Sequence, residues 1–330
     1  MAVNATPEYE KADARYRAAT TPADQLDALQ EMLRLIPKHK ASEKLQSDLK
    51  RKISALRKDM TSGAPHGASQ HVDPYHLPPG GAGQVVLVGL PNTGKSSVVA
   101  AVTTAPVKVA EFPFSTSHPV PGMWHWEDTQ IELVDTPPIT ADHIDGGLVN
   151  LLRLTGVVAI VADESSPDSL DQVQTMLSLL SQRQMELFDL PAAQIAAQGR
   201  TGKPGLIILT HTKMNDAAEL SAFAELLGCK LTVCPVDCQE KRGFKDLAGH
   251  IWRLLNVIRV YTKRPGQKPD GSAPFTLPVG STLADLARAI HRDLPERLKF
   301  ARIWGDGRHP GQQANRSEPL HDKDVVEIHE

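Results

Sequence analysis

One short glycine-containing segment is the part of the sequence best suited to chemistry. Residues 89–97 read Gly-Leu-Pro-Asn-Thr-Gly-Lys-Ser-Ser and satisfy the pattern G-x-x-x-x-G-K-[ST]. They follow an apolar run and precede a helical pattern, the context in which this pattern binds phosphate. The glycines let successive backbone N–H groups point at an anion, Lys95 neutralises β- and γ-phosphates, and the Ser96 hydroxyl holds Mg²⁺. We therefore predict that this phosphate loop binds a nucleotide through Pro91, Asn92, Thr93, Gly94, Lys95, Ser96 and Ser97.

A carboxylate downstream could complete a metal site. Asp135 comes directly after the apolar run 131–134, about forty residues beyond the phosphate loop. An acid at the tip of such a strand suits the anchoring of a metal ion, although it could instead cap a turn. The segment 112–117, Phe-Pro-Phe-Ser-Thr-Ser, lies between the two and offers hydroxyl groups as further Mg²⁺ ligands.

The elements that must position these side chains alternate along the chain. Short apolar, largely β-branched runs occur at 85–88, 131–134, 157–161, 206–209 and 231–233. Helical stripes such as Leu170, Val173, Leu177 and Leu180 lie between several of them. Near-continuous apolar strands that alternate with helices predict an α/β domain with a mainly parallel sheet covered on both faces.

Shifts in composition divide the chain into four parts. Residues 1–60 carry two helical stripes that meet at Pro37 and predict an N-terminal helical hairpin. Residues 61–83 are rich in Gly, Pro, Ser and His and are typical of a flexible linker. The alternating pattern fills 84–258. In 259–330 two strands, a helix capped by Ser281 and two further strands, 300–304 and 325–328, predict a small α+β domain.

Charge and cysteine content narrow the class of protein. The formal net charge of −3 argues against a uniformly basic nucleic-acid coat and against an acidic disordered tail. No apolar run reaches the 18 or so residues that a membrane span needs, and no signal peptide is evident. Three cysteines suit a reducing compartment, so we predict a cytoplasmic protein. The helix over 38–58 has eight lysines or arginines and two acids, a net charge of +6; it is either a solvated face or a phosphate-backbone contact.

The order of the motifs resembles that of the Obg/DRG (developmentally regulated GTP-binding) class of P-loop GTPases. The phosphate loop, the segment 112–116 and the triplet Asp135-Thr136-Pro137 are similar to the first three nucleotide motifs of that class. The run 259–270, Arg-Val-Tyr-Thr-Lys-Arg-Pro-Gly-Gln-Lys-Pro-Asp, resembles the start of a TGS domain, the β-grasp module shared with threonyl-tRNA synthetases and stringent-response enzymes. The resemblance covers nearly the whole chain.

The resemblance implies a role for each matching residue. Lys95 would bind the β- and γ-phosphates, and Ser96, Thr116 and Asp135 would form the Mg²⁺ site, with Asp135 acting through water. Thr116 would sense the γ-phosphate as a switch residue. The implied function is slow, Mg²⁺-dependent hydrolysis of GTP to GDP and phosphate in a molecular switch. RNA or ribosomal partners would bind the 38–58 helix and the TGS domain.

The motif after Asp135 departs from the family. Pro138 replaces the glycine whose backbone N–H contacts the γ-phosphate, and proline has no N–H group. Ile139 replaces the glutamine that orients water in many GTPases, a substitution that the Obg/DRG class shares. The proline puts γ-phosphate sensing through that position in doubt, and the isoleucine predicts slow intrinsic hydrolysis unless another group or a partner helps.

The base-reading motif also departs from the family pattern Asn-Lys-x-Asp. Here Thr212-Lys213-Met214-Asn215-Asp216 puts an amide where the carboxylate accepts two N–H groups of guanine. Either a bulge brings in Asp216, or guanine selectivity is weakened by about 1–3 kcal/mol. A later backbone contact to guanine falls near Asp237 and Cys238. We expect GTP and GDP to be preferred over adenine nucleotides.

Three alternatives stay open at this stage. Asn92 matches the position at which potassium-activated GTPases help to hold K⁺, or it is an ordinary loop residue. The protein could be a non-enzymatic, nucleotide-gated RNA- or ribosome-binding module with a degenerate switch. It could also use the same loop as a small-molecule phosphotransferase, although the TGS-like segment has no role in such an enzyme.

Overall fold

The computed structural model forms two compact units, residues 1–72 and 73–330, which we describe separately. The structure describes residues 9, 11–12, 15–16, 22–36, 46, 49–54, 74–105, 118–140, 144–211, 217–267 and 274–329. Its helices are α1 (Pro22–Leu35), α2 (Lys95–Val102), α3 (Gly146–Leu154), α4 (Ser169–Gln182), α5 (Ala192–Ala197), α6 (Ala217–Leu227), α7 (Phe244–Leu255), α8 (Leu283–Ile290) and α9 (Leu294–Arg297).

The strands belong to two sheets within the second unit. The first sheet contains β1 (Gln84–Val88), β2 (Val120–Trp126), β3 (Thr129–Asp135), β4 (Val157–Asp163), β5 (Leu187–Phe188), β6 (Lys203–Thr210) and β7 (Val233–Pro235). The second contains β8 (Val257–Lys263), β9 (Phe275–Pro278), β10 (Phe300–Trp304), β11 (Gln312–Ala314) and β12 (Asp324–His329).

The N-terminal unit packs helical segments around an apolar cluster. Leu29 and Ile36, from the predicted stripe before Pro37, meet Leu49 and Ile53, from the predicted stripe after it, and all four are buried. Helical residues before α1 add Ala12 to the same cluster, a contribution that the sequence patterns did not predict. The rest of the predicted 38–58 helix lies outside the described residues.

The first sheet is mainly parallel, as predicted. Its strand order is β2-β3-β1-β4-β6-β5, with β7 paired to β6. β2 runs antiparallel to β3, and the other pairs are parallel. β1 occupies the centre, so the phosphate loop leaves the sheet at the carboxyl ends of its parallel strands, where open α/β sheets bind ligands.

Alternate residues of β1 point into two different cores. Val86 and Val88 join a cluster with α3, α4 and α6, whereas Val85 and Leu87 join a cluster with α2 and α7. Every residue of β1 is buried, which explains why the strand is a continuous apolar run rather than an alternating one.

The second sheet forms the C-terminal β-grasp domain, in the order β11-β10-β12-β8-β9. β8 and β12 are parallel, and α8 packs on one face through Leu283 and Leu286. The predicted cap Ser281 is wrong by one residue. Thr282 is the N-cap, and Asp285 Oδ2 accepts its backbone N–H and its hydroxyl, both at 2.8 Å.

A buried arginine joins the second sheet to the first. Arg259 of β8 has a side chain that is only 5% exposed and forms ion pairs with Asp128 at 3.0 Å and Asp322 at 2.7 Å. It also pairs with Glu127 in the β2–β3 turn. We call Arg259 and these three carboxylates the junction cluster.

Aromatic side chains surround the junction cluster. The Arg259 guanidinium lies 6.0 Å from the ring centre of Trp126 and 5.1 Å from that of Trp252. The Tyr261 hydroxyl donates to Asp128.

None of the helices in the described ranges combines the length and apolar character that a membrane crossing requires.

Candidate nucleotide site

The phosphate loop owes its shape to two residues with positive φ. Asn92 has φ +61° and Gly94 has φ +84°, and glycine adopts this left-handed conformation without a Cβ penalty. A Cβ at Gly94 would lie 2.9 Å from the Thr210 hydroxyl oxygen. α2 begins at Lys95, so the first N–H groups of the helix face the region enclosed by the loop.

Threonine hydroxyls fasten the loop, and the segment that follows β3, to neighbouring strands of the sheet. Thr210 at the end of β6 donates to the Thr93 carbonyl oxygen at 2.9 Å, and Thr136 donates to the Leu87 carbonyl oxygen at 2.6 Å. All three threonines are fully buried. The sequence analysis did not identify Thr210, and it named Thr136 only as part of the Asp135 motif, because no local pattern links either hydroxyl to a carbonyl oxygen so far away in the chain.

Lys95 is folded back onto the loop. Its Nζ donates to the Gly89 carbonyl oxygen at 3.0 Å and to the Leu90 carbonyl oxygen at 2.8 Å, and the residue is 6% exposed. Burial lowers the pKa of Lys95 to about 8, and the negative charge of Asp135 only partly opposes this shift. A cation held in a dry loop of carbonyl oxygens and N–H groups is suited to pair with an anion.

Ser96 and Asp135 come together across the central strands. The Ser96 hydroxyl donates to Asp135 Oδ2 at 2.7 Å, and Asp135 is fully buried at the end of β3. A hydroxyl and a carboxylate are hard oxygen donors of the kind that Mg²⁺ prefers. The donor set therefore fits a magnesium ion at this point.

The two departures after Asp135 have different structural consequences. Ile139 donates its backbone N–H to the Gly89 carbonyl oxygen at 3.1 Å, and its side chain is buried in the core with α3 and α4. Pro138 is partly exposed and has no N–H to offer. Ile139 thus serves as a packing residue and tethers the segment to the loop.

At the predicted base-binding end, part of the site can be described. Asp237 accepts the backbone N–H groups of Glu240 and Gln239, both at 2.9 Å; these bonds, led by that from Glu240, and its pairing with Arg242 hold its pKa below the usual range. Burial, with the charge of Asp237, raises the pKa of the Cys238 thiol to about 11. The Asp237 carboxylate is thus engaged in hydrogen bonds within its own turn. The contact to guanine predicted near Asp237 and Cys238 is one made by backbone atoms, and it stays a prediction.

Several predicted site residues lie outside the described residues. They are Thr116, Thr212, Lys213, Asn215 and Asp216. Their assigned roles stay predictions from sequence. Of the predicted phosphate and metal ligands, the structure brings Lys95, Ser96 and Asp135 to one edge of the sheet.

Two family models match the chain. The model described as 50S ribosome-binding GTPase matches residues 84–188, and the model described as TGS domain matches residues 258–330. The first includes the phosphate loop and Asp135, and the second includes all of the second sheet except Val257.

Curated relatives match along most of the chain. Developmentally-regulated G-protein 1 of Arabidopsis thaliana is 27% identical over 349 residues, which covers 88% of this chain and 87% of that protein. Developmentally-regulated GTP-binding protein 1 of Xenopus laevis is 23% identical over 350 residues, which covers 88% of this chain and 94% of that protein.

A solved structure supports the fold. The structure of the Schizosaccharomyces pombe YchF GTPase superimposes with a TM-score of 0.54 at 12% identity, covering 76% of this chain and 99% of that one. Together with the phosphate loop and the second sheet, these findings show a P-loop GTPase domain followed by a TGS domain, in a chain that is similar to developmentally regulated GTP-binding proteins along most of its length.

Proposed function

We propose that the protein binds GTP and hydrolyses it slowly to GDP and phosphate as a molecular switch. The observation that carries the proposal is the convergence of Lys95, Ser96 and Asp135 beside the phosphate loop. Membership of a GTPase class supports guanine nucleotides as the ligand. We keep the division into residues 1–60, 61–83, 84–258 and 259–330 as part of the proposal.

Each residue of the site has a proposed task. Lys95 leaves the loop carbonyl oxygens and pairs with the β- and γ-phosphates, while Ser96 and Asp135 hold Mg²⁺ together with Thr116. When bound, Mg²⁺ supplies positive charge that neutralises the phosphate oxygens. Asn92 is exposed at the rim of the loop, and we propose it as a K⁺ contact.

Slow hydrolysis follows from the segment after Asp135. The Ile139 side chain is 2% exposed and apolar, so it orients no water molecule. Pro138 donates no hydrogen bond to the γ-phosphate. A partner that supplies a polar group would accelerate the reaction, as stabilisation of transition-state charge does in other GTPases.

We propose that RNA or ribosomal partners read the switch, in the cytoplasm. In the N-terminal unit Lys50, Arg51 and Lys52 are exposed on consecutive positions, and such cations suit phosphate contacts. The description of the matching model as a ribosome-binding GTPase agrees with this choice of partner.

The proposal is tested by Lys95→Ala in the full chain, with GTP binding and phosphate release measured in Mg²⁺. Loss of both is expected, because the variant lacks the buried cation. Lys245→Ala is the matched control, since Lys245 is an exposed lysine on α7 outside the site. Unchanged binding and turnover in Lys95→Ala would refute the proposal.

Pro138 specifically favours a second candidate, a nucleotide-gated or constitutive RNA- or ribosome-binding module without turnover. Partner binding is measured with protein loaded with GTP, with GDP or with neither. Equal affinity in all three states, with no phosphate released, would support the module over the switch. Release of phosphate alone, without a phosphorylated acceptor, would also set hydrolysis apart from phosphotransfer.

A further inference from the structure

The outward face of the second sheet carries an unusual set of side chains. Ala301 and Ile303 of β10 point into the domain core, so Phe300, Arg302 and Trp304 point to the opposite side. Arg302 is exposed, and the two aromatic residues are partly exposed. Aromatic rings on a sheet face that turns away from the core are unexpected if the face has only a structural role.

Each of these rings is paired with a positively charged or titratable neighbour. Lys263 Nζ lies 3.9 Å from the ring centre of Trp304. The His329 imidazole stacks on Phe300 with 4.4 Å between ring centres and an angle of 12° between planes. We call Phe300, Arg302, Trp304, Lys263 and His329 the aromatic face.

The aromatic face continues an interface that is already occupied. β8 presents Arg259, Tyr261 and Lys263 on the same side of the sheet. The first two contact Asp128 in the β2–β3 turn. The sheet face thus docks on the first sheet at one end and carries the aromatic face at the other.

The arrangement along β10 matches a chain of bases and phosphates. Alternate residues of a strand are about 6.6 Å apart, so Phe300, Arg302 and Trp304 present ring, cation and ring in a row. Open sheets that bind single-stranded RNA stack bases on such rings and pair phosphates with cations.

The centre of the aromatic face disfavours an apolar protein partner. Arg302 pairs with Glu327 across β10 and β12, and Glu327 pairs with Lys263 across β12 and β8. Lys263 Nζ also lies 2.7 Å from Glu327 Oε2. A hydrophobic helix laid across this polar row would remove these charged groups from water and offer them no hydrogen bonds in return, whereas bases and phosphates offer acceptors to the exposed Arg302.

We infer that the aromatic face binds single-stranded RNA by stacking unpaired bases on Phe300 and Trp304, with Arg302 on the backbone. This inference rests on the RNA partner of the proposed function and assigns that partner a surface. It requires π-faces at two positions and not merely apolar bulk.

The test compares conservative variants in the full chain, with a fluorescent oligouridylate as the probe. Phe300→Leu and Trp304→Leu keep apolar bulk but lose the π-face, and each should weaken binding roughly 5- to 150-fold. Phe300→Tyr and Trp304→Phe keep a ring and should bind nearly as well as the parent. Circular dichroism and GDP binding show that each variant is folded.

Two further readouts make the result specific. Arg302→Ala should make the dependence of log affinity on log salt shallower by about 0.7, whereas Arg292→Ala, an 89% exposed cation outside these strands, should not. The probe should quench tryptophan fluorescence in the parent and much less in Trp304→Phe.

The outcomes separate the inference from the function on which it rests. If the parent binds RNA and both leucine variants bind it with equal affinity, the aromatic face is not the binding surface, and the proposal of an RNA partner is unaffected. No RNA binding by the parent overturns the RNA partner itself. Loss in the leucine variants together with retention in the ring-bearing variants supports the inference.

Discussion

Replacing Arg259 by methionine should strongly destabilise the unit that contains both sheets. Arg259→Met keeps most of the side-chain volume but removes the charge that three carboxylates share. Those carboxylates, Glu127, Asp128 and Asp322, would then face one another without a cation. The perturbation is electrostatic, because the aromatic neighbours still have an apolar side chain to pack against.

The expected loss of stability in Arg259→Met depends on how deeply the arginine and the three carboxylates of the junction cluster are buried. Removing one partner of a buried ion pair costs about 3–5 kcal/mol. Here only the arginine is buried; the carboxylates are 27–49% exposed, so water screens part of the repulsion. The loss of the cation–π attraction to two tryptophan rings adds about 0.5–1 kcal/mol each. We expect a total loss of about 3 kcal/mol, equivalent to a fall in Tm of roughly 6–12 °C.

The assay is thermal unfolding of the full chain at neutral pH, followed by circular dichroism and tryptophan fluorescence. Arg253→Met is the matched control. Arg253 pairs with Asp189 at 2.5 Å but is 46% exposed, so its loss should cost less than about 1 kcal/mol. Arg259→Lys should fall between the two, because lysine keeps the charge but not the planar fork.

The pH dependence provides a second check. Burial alone would raise the pKa of Asp322, but hydrogen bonds from the Arg259 side chain and backbone outweigh it and hold the pKa below the usual range. The stability from this carboxylate is therefore present above its unfolded pKa of about 3.9 and is lost as the pH falls through the lower folded value. The difference between Arg259→Met and the parent should shrink below about pH 4. A Tm change no larger than that of Arg253→Met, or one independent of pH, would refute the reasoning.

Three further predictions concern individual side chains. Burial lowers the pKa of Lys95 to about 8, and bound phosphates should raise it, so nucleotide binding above pH 8 should take up a proton and the affinity should fall as the pH rises. Calorimetry in buffers of different ionisation enthalpy measures this proton uptake. Absence of proton uptake at pH 8.5 would contradict the assignment of Lys95 to the phosphates. Thr210→Val removes the hydrogen bond to the buried Thr93 carbonyl oxygen, so it should weaken GDP binding by about 1–3 kcal/mol, as measured by equilibrium titration. A folded variant with the GDP affinity of the parent would show that this bond does not shape the loop. Burial raises the pKa of the Cys234 thiol to about 12, so iodoacetamide at pH 8 should leave Cys234 unmodified in the native protein and label it after unfolding. Mass spectrometry measures the labelling, and fast labelling of the native protein would contradict the burial of Cys234.

The parts of the fold that follow from sequence are those set by local periodicity. The apolar runs at β1, β3, β4 and β6 predicted a parallel sheet with two covered faces, and the structure confirms this. β2 was missed because Val120–Trp126 contains a proline, a glycine and a histidine and pairs only with β3 at the edge of the sheet. The predicted strand at 231–233 lies two residues early, since β7 begins at Val233.

The nucleotide site and the junction cluster likewise differ in how far sequence could predict them. The phosphate loop could be recognised because its glycines, lysine and serine are consecutive in sequence. The junction cluster could not, because Arg259 contacts carboxylates about 130 residues away in the chain. Thr210 was equally invisible, since one hydroxyl on a buried strand has no local pattern to mark it. Such long-range pairs depend on how the strands are ordered, which periodicity does not specify.

The central claim, a guanine-nucleotide site at the phosphate loop, is tested most directly by equilibrium binding. Fluorescent GDP and ADP are titrated into the full chain with Mg²⁺, in potassium and then in sodium buffer, and into Lys95→Ala under the same conditions. We predict a strong preference for GDP that is lost in Lys95→Ala. Equal binding of GDP and ADP, or binding that is unchanged in the variant, would contradict the account.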